Sequence, residues 1–274
     1  MRRNAYVEFT QVGKAFPTPK GPLWAVEDFN LKISAGQFVC LIGHSGCGKS
    51  TVLSMLAGLQ EVTTGGIILA GKEISGPGPD RGIVFQSPCL LPWLSALKNV
   101  LLGVEEVYPR KTAAERVAMA RHHLELVGLA DDLDKMPGEL SQGMRQRVGI
   151  ARACALNPKM LLLDEPFGML DGITRLELQQ QLLRLWELDQ KTVLMVTHDV
   201  DEAVFLADRV VMMTSGPAAH VGGTIPIDLP RPRHREALLD EASFYDLRGQ
   251  LLDFLENHAS QPQPEVPNQG FAHA

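Results

Sequence analysis

Residues 43 to 50 read Gly-His-Ser-Gly-Cys-Gly-Lys-Ser, which fits the pattern GxxxxGK[ST] of a phosphate-binding loop. Glycines in such a run let the backbone curl until successive N–H groups converge on an anion. A continuous apolar run, Phe38 to Ile42, precedes the loop and suits a strand buried on both faces. A helix-like segment, Thr51 to Leu59, follows it. A helix that starts near Lys49 adds the positive end of its dipole. Strand, glycine loop and helix in this order are what nucleotide binding requires. Gly43, His44, Ser45, Gly46, Cys47 and Gly48 are therefore expected to cradle ATP. Lys49 is expected to bridge β- and γ-phosphate oxygens, Ser50 to hold Mg²⁺ and Thr51 to reach the α-phosphate region.

A second segment, Met160-Leu-Leu-Leu-Asp164-Glu165, is an apolar strand that ends in two carboxylates. In a parallel sheet, ligands gather at the carboxyl ends of strands. Asp164 would face Mg²⁺, through water, and Glu165 could polarise the water that attacks the γ-phosphate. His198 closes another strand-like run, Thr192 to Thr197. A lone histidine there would more often be structural.

These segments need a frame. Phe29, Leu31 and Ile33 alternate with polar residues, the period of a half-buried strand. Tyr6, Phe9 and Val12 fall in a short β-like stretch, and Thr63 to Gly66 reads as a loop. Further strands are expected at Ile67 to Leu69, Ile83 to Phe85 and Arg209 to Met213, with a long helix at Ile173 to Leu188. From about residue 87 to 157 strand signals fade. Apolar residues at Ala113, Val117, Ala120, Leu124 and Val127 follow helical spacing, so this part reads as a helical insertion. Strands alternating with helices imply a largely parallel sheet covered on both faces. Phe244, Leu247, Leu251, Phe254 and Leu255 mark a C-terminal helix, and 259–274 reads as a disordered tail.

The chain has 274 residues and a net charge of −6, a weak argument against nucleic acid as a partner. No apolar run is long enough to span a bilayer, and the N-terminus lacks the apolar stretch of a signal peptide. The expectation is a cytosolic protein that meets a membrane only through partners. The four cysteines form no CxxC pair, which argues against zinc or a redox centre. Cys47 lies at a helix N-terminus, which should lower its thiol pKa and open it to alkylation.

Four more segments complete a pattern. Gln86 follows Ile83-Val-Phe85. Leu140-Ser-Gln-Gly-Met144 precedes Arg145-Gln-Arg147. Gly168-Met-Leu-Asp171 follows Glu165, and His198 lies in Thr-His-Asp. With the glycine loop and Asp164-Glu165, their order and spacing resemble those of ABC ATPases over about residues 5 to 225. The resemblance implies an α/β P-loop NTPase fold. It has a largely parallel core sheet, an N-terminal antiparallel β subdomain and a helical subdomain at about 87–157, followed by a C-terminal extension over 226–258.

It also implies roles. Gln86 would be the Q-loop glutamine that senses Mg²⁺ and the transmembrane partner. His198 would be the switch histidine on the γ-phosphate. Asp171 would belong to the D-loop at the dimer interface. Ser141, Gln142, Gly143 and Met144 would be the signature segment that completes the ATP site of a second ATPase subunit. The family's usual signature is LSGGQ. Ser141 and Gly143 are retained, whereas Gln142 places a side chain, and a backbone question, where the family has glycine. For the adenine-stacking aromatic the best match is Phe16, with Trp24 second.

At a finer level the chain resembles importer ATPases for nitrate, sulfonate, taurine and related anions. The segments that carry this are Gly76-Pro-Gly-Pro-Asp-Arg81, Leu90-Leu-Pro-Trp93, Asp164-Glu-Pro-Phe-Gly-Met-Leu-Asp171 and Met212-Met-Thr-Ser-Gly-Pro217. Leu94-Ser-Ala-Leu-Lys-Asn-Val100 and Pro230-Arg-Pro-Arg-His234 favour the nitrate/nitrite/cyanate/bicarbonate branch over sulfonate or taurine import. Implied partners are permease subunits and, indirectly, a solute-binding protein, with the chain on the cytoplasmic face of the inner membrane. Pro92 and Trp93 are expected to help grip the permease, against a core role for Trp93. A soluble ABC ATPase uncoupled from transport is the alternative from another class.

Overall fold

The computed structural model describes residues 5–258. The chain runs through β1 (Val7–Thr18), β2 (Gly21–Ile33), β3 (Phe38–Ile42), α1 (Lys49–Ala57), β4 (Thr64–Leu69), β5 (Lys72–Glu73) and β6 (Arg81–Val84). Helices follow: α2 (Ala96–Val107), α3 (Ala113–Leu126), a single 3₁₀ turn at Pro137–Glu139, and α4 (Gln142–Ala155). The rest alternates as β7 (Met160–Asp164), α5 (Gly172–Asp189), β8 (Thr192–Val196), α6 (Val200–Leu206), β9 (Arg209–Met213) and β10 (Val221–Pro226). Two helices end the described residues, α7 (Arg235–Leu239) and α8 (Ala242–Asn257). The region beyond 258, where a disordered tail is expected, lies outside the described residues.

Two sheets carry this order. One is antiparallel, β2-β1-β4-β5, and the other runs β10-β9-β3-β8-β7-β6. In the second sheet β9, β3, β8, β7 and β6 are mutually parallel, and only β10 runs against its neighbour. The central strand β3 is buried along its whole length. Its side chains alternate between two cores. Val39 and Leu41 join the cluster under the antiparallel sheet, with Phe9, Phe29 and Leu56. Phe38, Cys40 and Ile42 join the cluster formed with α2–α6. An unbroken apolar run is what a strand covered on both faces needs.

The N-terminal β signal proves much longer than a short stretch, because β1 pairs β2 from Val7↔Ile33 to Thr18↔Gly21. The loop expected at Thr63 to Gly66 is instead strand from Thr64, since Gly66 and Thr64 pair with Thr10 and Gly13 of β1. Tertiary pairing overrides the turn propensity of glycine there. The helix after the glycine loop begins at Lys49 rather than Thr51.

Parallel pairing puts the carboxyl ends of β3, β8, β7 and β6 side by side on one edge. The segments that leave that edge are 43–48, Thr197-His198, Glu165 and Gln86, respectively. β3 has neighbours on both sides that are distant in sequence, β9 and β8, which is where an open α/β sheet makes its binding crevice.

Candidate functional site

The glycine loop owes its shape to two left-handed positions, Gly46 at φ +80° and Gly48 at φ +95°. Gly48 is also the N-cap of α1, and a Cβ there would come within 2.8 Å of the Val26 side chain. Lys49 is only 6% exposed. Its ammonium curls back to donate to the Gly43 and His44 carbonyls, each at 2.8 Å. That places the charge inside the loop, where N–H groups and helix dipole already favour an anion. Ser45 and Gly46 are exposed at the tip, and Thr51 is half-buried on the first turn of α1.

Ser50 and Asp164 meet across the sheet edge, with the Ser50 hydroxyl donating to Asp164 Oδ1 at 2.9 Å. Burial pushes the Asp164 carboxyl up, while the Ser50 hydroxyl pulls it down. Glu165, the next residue, turns the other way. It adopts φ +44°, a left-handed conformation unusual for a side-chain-bearing residue, and strain of that kind concentrates at functional sites. The turn aims Glu165 Oε2 at two partners. Gln86 Nε2 donates to it at 3.2 Å, and His198 Nδ1 lies 3.3 Å away. The two adjacent carboxylates thus serve different groups, Asp164 the loop serine and Glu165 the amide and the imidazole.

Cys47 corrects the sequence reading. It is buried, and burial raises its thiol pKa despite the nearby Lys49 ammonium. It packs in the core beneath the loop and is not an exposed thiolate. His44 also departs from a simple cradle role, because its Nε2 is 2.7 Å from the Leu255 carbonyl in the last turn of α8. Phe16 is half-buried on β1 opposite Leu23, with the Lys14 ammonium 5.4 Å above its ring centroid. Trp24 is half-buried and packs toward Gly13.

The signature segment lies elsewhere. Ser141 is the N-cap of α4, and its hydroxyl accepts from the Met144 N–H at 3.2 Å. Gln142 is the first residue of that helix with an ordinary negative φ, so the missing glycine brings no strain. Gly143 is the position that needs to be glycine. A Cβ on it would fall 2.4 Å from Thr174 Cγ2. Thr174 belongs to the first turn of α5, capped by Asp171, whose carboxylate accepts from the Thr174 N–H at 3.1 Å and is thereby held below the usual range. Signature segment and Asp171 are therefore packed beside each other.

Comparison with known proteins agrees with this layout. A family model described as ABC transporter matches residues 26–168. The chain belongs to the ABC transporter family. It is 52% identical over 256 residues to a bicarbonate transport ATP-binding protein of Synechocystis sp., covering 93% of this chain and 91% of that one. It is 53% identical over 252 residues to a nitrate import ATP-binding protein of Synechococcus elongatus, covering 92% of both. Among solved structures it resembles a dimeric post-hydrolysis ATP-binding cassette bound to ADP and Pi. The TM-score is 0.73 at 32% identity, over 82% of this chain and 100% of that one. The chain is accordingly an ATP-binding, ATP-hydrolysing subunit of the ABC transporter kind.

One buried group beside the site is absent from the sequence reading. Glu202 is 4% exposed beside the His198 loop, and burial pushes its carboxyl up to about 7. Gln179 Nε2 donates to it at 2.7 Å. The signal was present: Asp199, three residues ahead, caps α6 by accepting from the Glu202 N–H at 3.0 Å, the spacing of an N-terminal cap.

Proposed function

We propose that this chain uses Mg²⁺-ATP hydrolysis to drive import of a small inorganic anion of the nitrate or bicarbonate type, including nitrite and cyanate. The observation that carries the hydrolytic part is the set of three contacts at the end of β7. Ser50 joins Asp164, and Glu165 is joined by Gln86 and His198. A serine hydroxyl and a carboxylate are hard oxygen donors of the kind Mg²⁺ takes. Among the described residues no group of three His, Cys, Asp or Glu could hold a metal unaided, so nucleotide phosphates and water would complete the shell. In this reading Ser50, Asp164 and Gln86 would hold Mg²⁺, whose charge would offset that of the phosphates. Lys49 and the loop N–H groups bind the phosphates, and Phe16 stacks on adenine. Glu165 accepts the proton of the attacking water, and His198 contacts the γ-phosphate.

The site would be completed by a second ATPase subunit. Met169, Ile173 and Leu176 flank Asp171 and are exposed apolar side chains, a patch of the kind that marks an interface. Ser141 to Met144 would then face the partner's nucleotide. On another surface, Trp93 is 68% exposed, which removes the core reading. Leu91, two residues before it in the chain, lines a groove of about 540 Å³ together with Phe85 and Leu102 among others. We assign this groove and Trp93 to the permease. No described helix is long and apolar enough to cross a membrane. As a subunit like those of its transporter relatives, the chain would sit peripherally on the cytoplasmic face, with residues 5–225 as cassette and 226–258 as extension.

The anion assignment leans on the named relatives, and the decisive test is uptake. In cells that carry the cognate permease and binding protein, Lys49→Ala in this chain is expected to abolish uptake of labelled nitrate or labelled bicarbonate. Uptake of both unaffected, with loss of taurine uptake instead, would move the chain to the sulfonate branch. Wild-type uptake of every anion would uncouple it from transport.

A further inference from the structure

The motif Pro230-Arg-Pro-Arg-His234 opens a C-terminal stretch that the ATPase reading leaves without a task. The structure wraps this stretch around α6, the helix that starts two residues after His198. Arg233 is 2% exposed. It donates to the carbonyls of Val204, Phe205 and Ala207 at 3.2, 3.1 and 2.6 Å, and to those of Ile227 and Leu229 at 3.2 and 3.3 Å. The first three are carbonyls at the end of α6 that no helical N–H can satisfy, and a cation there also suits the helix dipole. Arg231 holds the adjoining turn through Asp208 at 2.8 Å and the Leu206 carbonyl at 2.7 Å.

The same stretch reaches the other end of α6. Arg235 donates to Gln179 Oε1, and Gln179 in turn donates to the buried Glu202. The Arg235 guanidinium also lies 4.4 Å over the Phe205 ring. Arg248 of α8 pairs with Asp201 at 2.7 Å. Arg175 of α5 lies 3.6 Å from Asp199. At its far end α8 meets the phosphate loop, where the Leu255 carbonyl lies 2.7 Å from His44 Nε2, and Ser215 donates to the His258 carbonyl. Phe254 is seated on Gly222, where a Cβ would approach its ring to 2.5 Å.

We infer that residues 227–258 are a brace for catalysis: they fix the His198 loop relative to the phosphate loop by gripping α6, with Arg235 and Arg248 as positioning residues. The inference rests on the reading of His198 as the γ-phosphate contact. Short α6 is a lever whose N-terminus carries His198, so loosening its grip displaces the imidazole without touching ATP. Small misplacements of a catalytic group are costly, up to about 100-fold for roughly 1 Å.

Steady-state ATPase of the full chain, with melting temperature measured in parallel, tests this. Arg235→Ala is expected to lower kcat roughly tenfold with KM for ATP within about twofold, and Arg235→Lys to restore at least about half of the loss. Arg248→Ala, which breaks only a half-exposed ion pair, is expected to lower kcat about two- to threefold at unchanged melting temperature, a readout that survives if Arg235→Ala folds poorly. In a His198→Ala background, Arg235→Ala should cost nothing further, because it acts through His198. A full additional loss in that background would overturn the brace. So would wild-type kcat in both arginine variants while His198→Ala is inactive. Wild-type turnover of His198→Ala would instead overturn the role of His198 itself, and the brace with it.

Discussion

At the N-terminus of α1 the capping residue is Gly48 at φ +95°, which has no side chain to cap the first turn. At the N-terminus of α4 the Ser141 hydroxyl already accepts from the Met144 N–H. Both helix ends present N–H groups and a positive dipole, yet they are built for different uses. The α1 end leaves its donors facing a loop whose turns place Gly46 and Gly48 at positive φ. It also supplies a buried ammonium, Lys49. The α4 end is a self-capped, finished helix terminus held against α5 by the close approach of Gly143 to Thr174. In the proposed function the first serves as a cradle for phosphate, and the second as a surface for a second subunit.

Lys49→Ala should give the largest effect, since it empties the cradle of its cation. ATP hydrolysis is expected to fall at least about 100-fold, with ATP binding weakened as well, measured by phosphate release and by titration with a fluorescent ATP analogue. Gly143→Ala should separate the two ends. The added methyl must push Thr174 aside, an overpacking that costs about 1–3 kcal/mol. Loss of hydrolysis with intact ATP binding to the isolated chain would sharpen the contrast, and loss of binding would break it.

Glu202 gives a smaller, pH-dependent effect. Its folded carboxyl is raised from 4.5 to about 7 by burial, with Asp199 raising it and Thr197, Gln179 and Arg175 lowering it. Arg235 stands behind Gln179. A raised carboxyl pKa means the folded state binds the proton more tightly than the unfolded chain, so stability declines as pH rises from about 4.5 to about 7. Glu202→Gln removes that titration. Its melting temperature relative to the natural chain is expected to climb across this window, and a pH-independent difference would contradict the assignment. Gln142→Gly should do least. Gln142 is an ordinary helical residue, so the change is expected to cost about 0.5–1 kcal/mol and leave turnover within about twofold. A large gain in ATPase would show that the side chain obstructs the docking surface after all.

The same contrast explains what could be read in the residues. The cradle was legible because its chemistry is contiguous: strand, glycine loop, Lys49 and Ser50 fall within thirteen residues, and Asp164 and His198 each close an apolar strand. Parallel pairing then only had to bring the strand ends together, as β3, β8 and β7 do. The burial of Cys47 was not legible, because it depends on β1, β2 and β4 packing over the loop. Nor was the grip on α6. It joins Arg233 to carbonyls 26 to 29 residues away, and backbone acceptors leave no mark in a sequence. Trp93 could not be decided either, since an aromatic in a helical insertion serves equally as core or as docking surface.

The proposed hydrolysis depends most on the division of labour between adjacent carboxylates, Asp164 on Ser50 and Glu165 on Gln86 and His198. Measuring ATP turnover and ATP affinity together in Glu165→Gln tests it directly. The expected result is turnover lower by at least about 100-fold with affinity unchanged within a few-fold, because the phosphate cradle does not involve that side chain. Wild-type turnover, or turnover lost only in step with lost ATP binding, would contradict it.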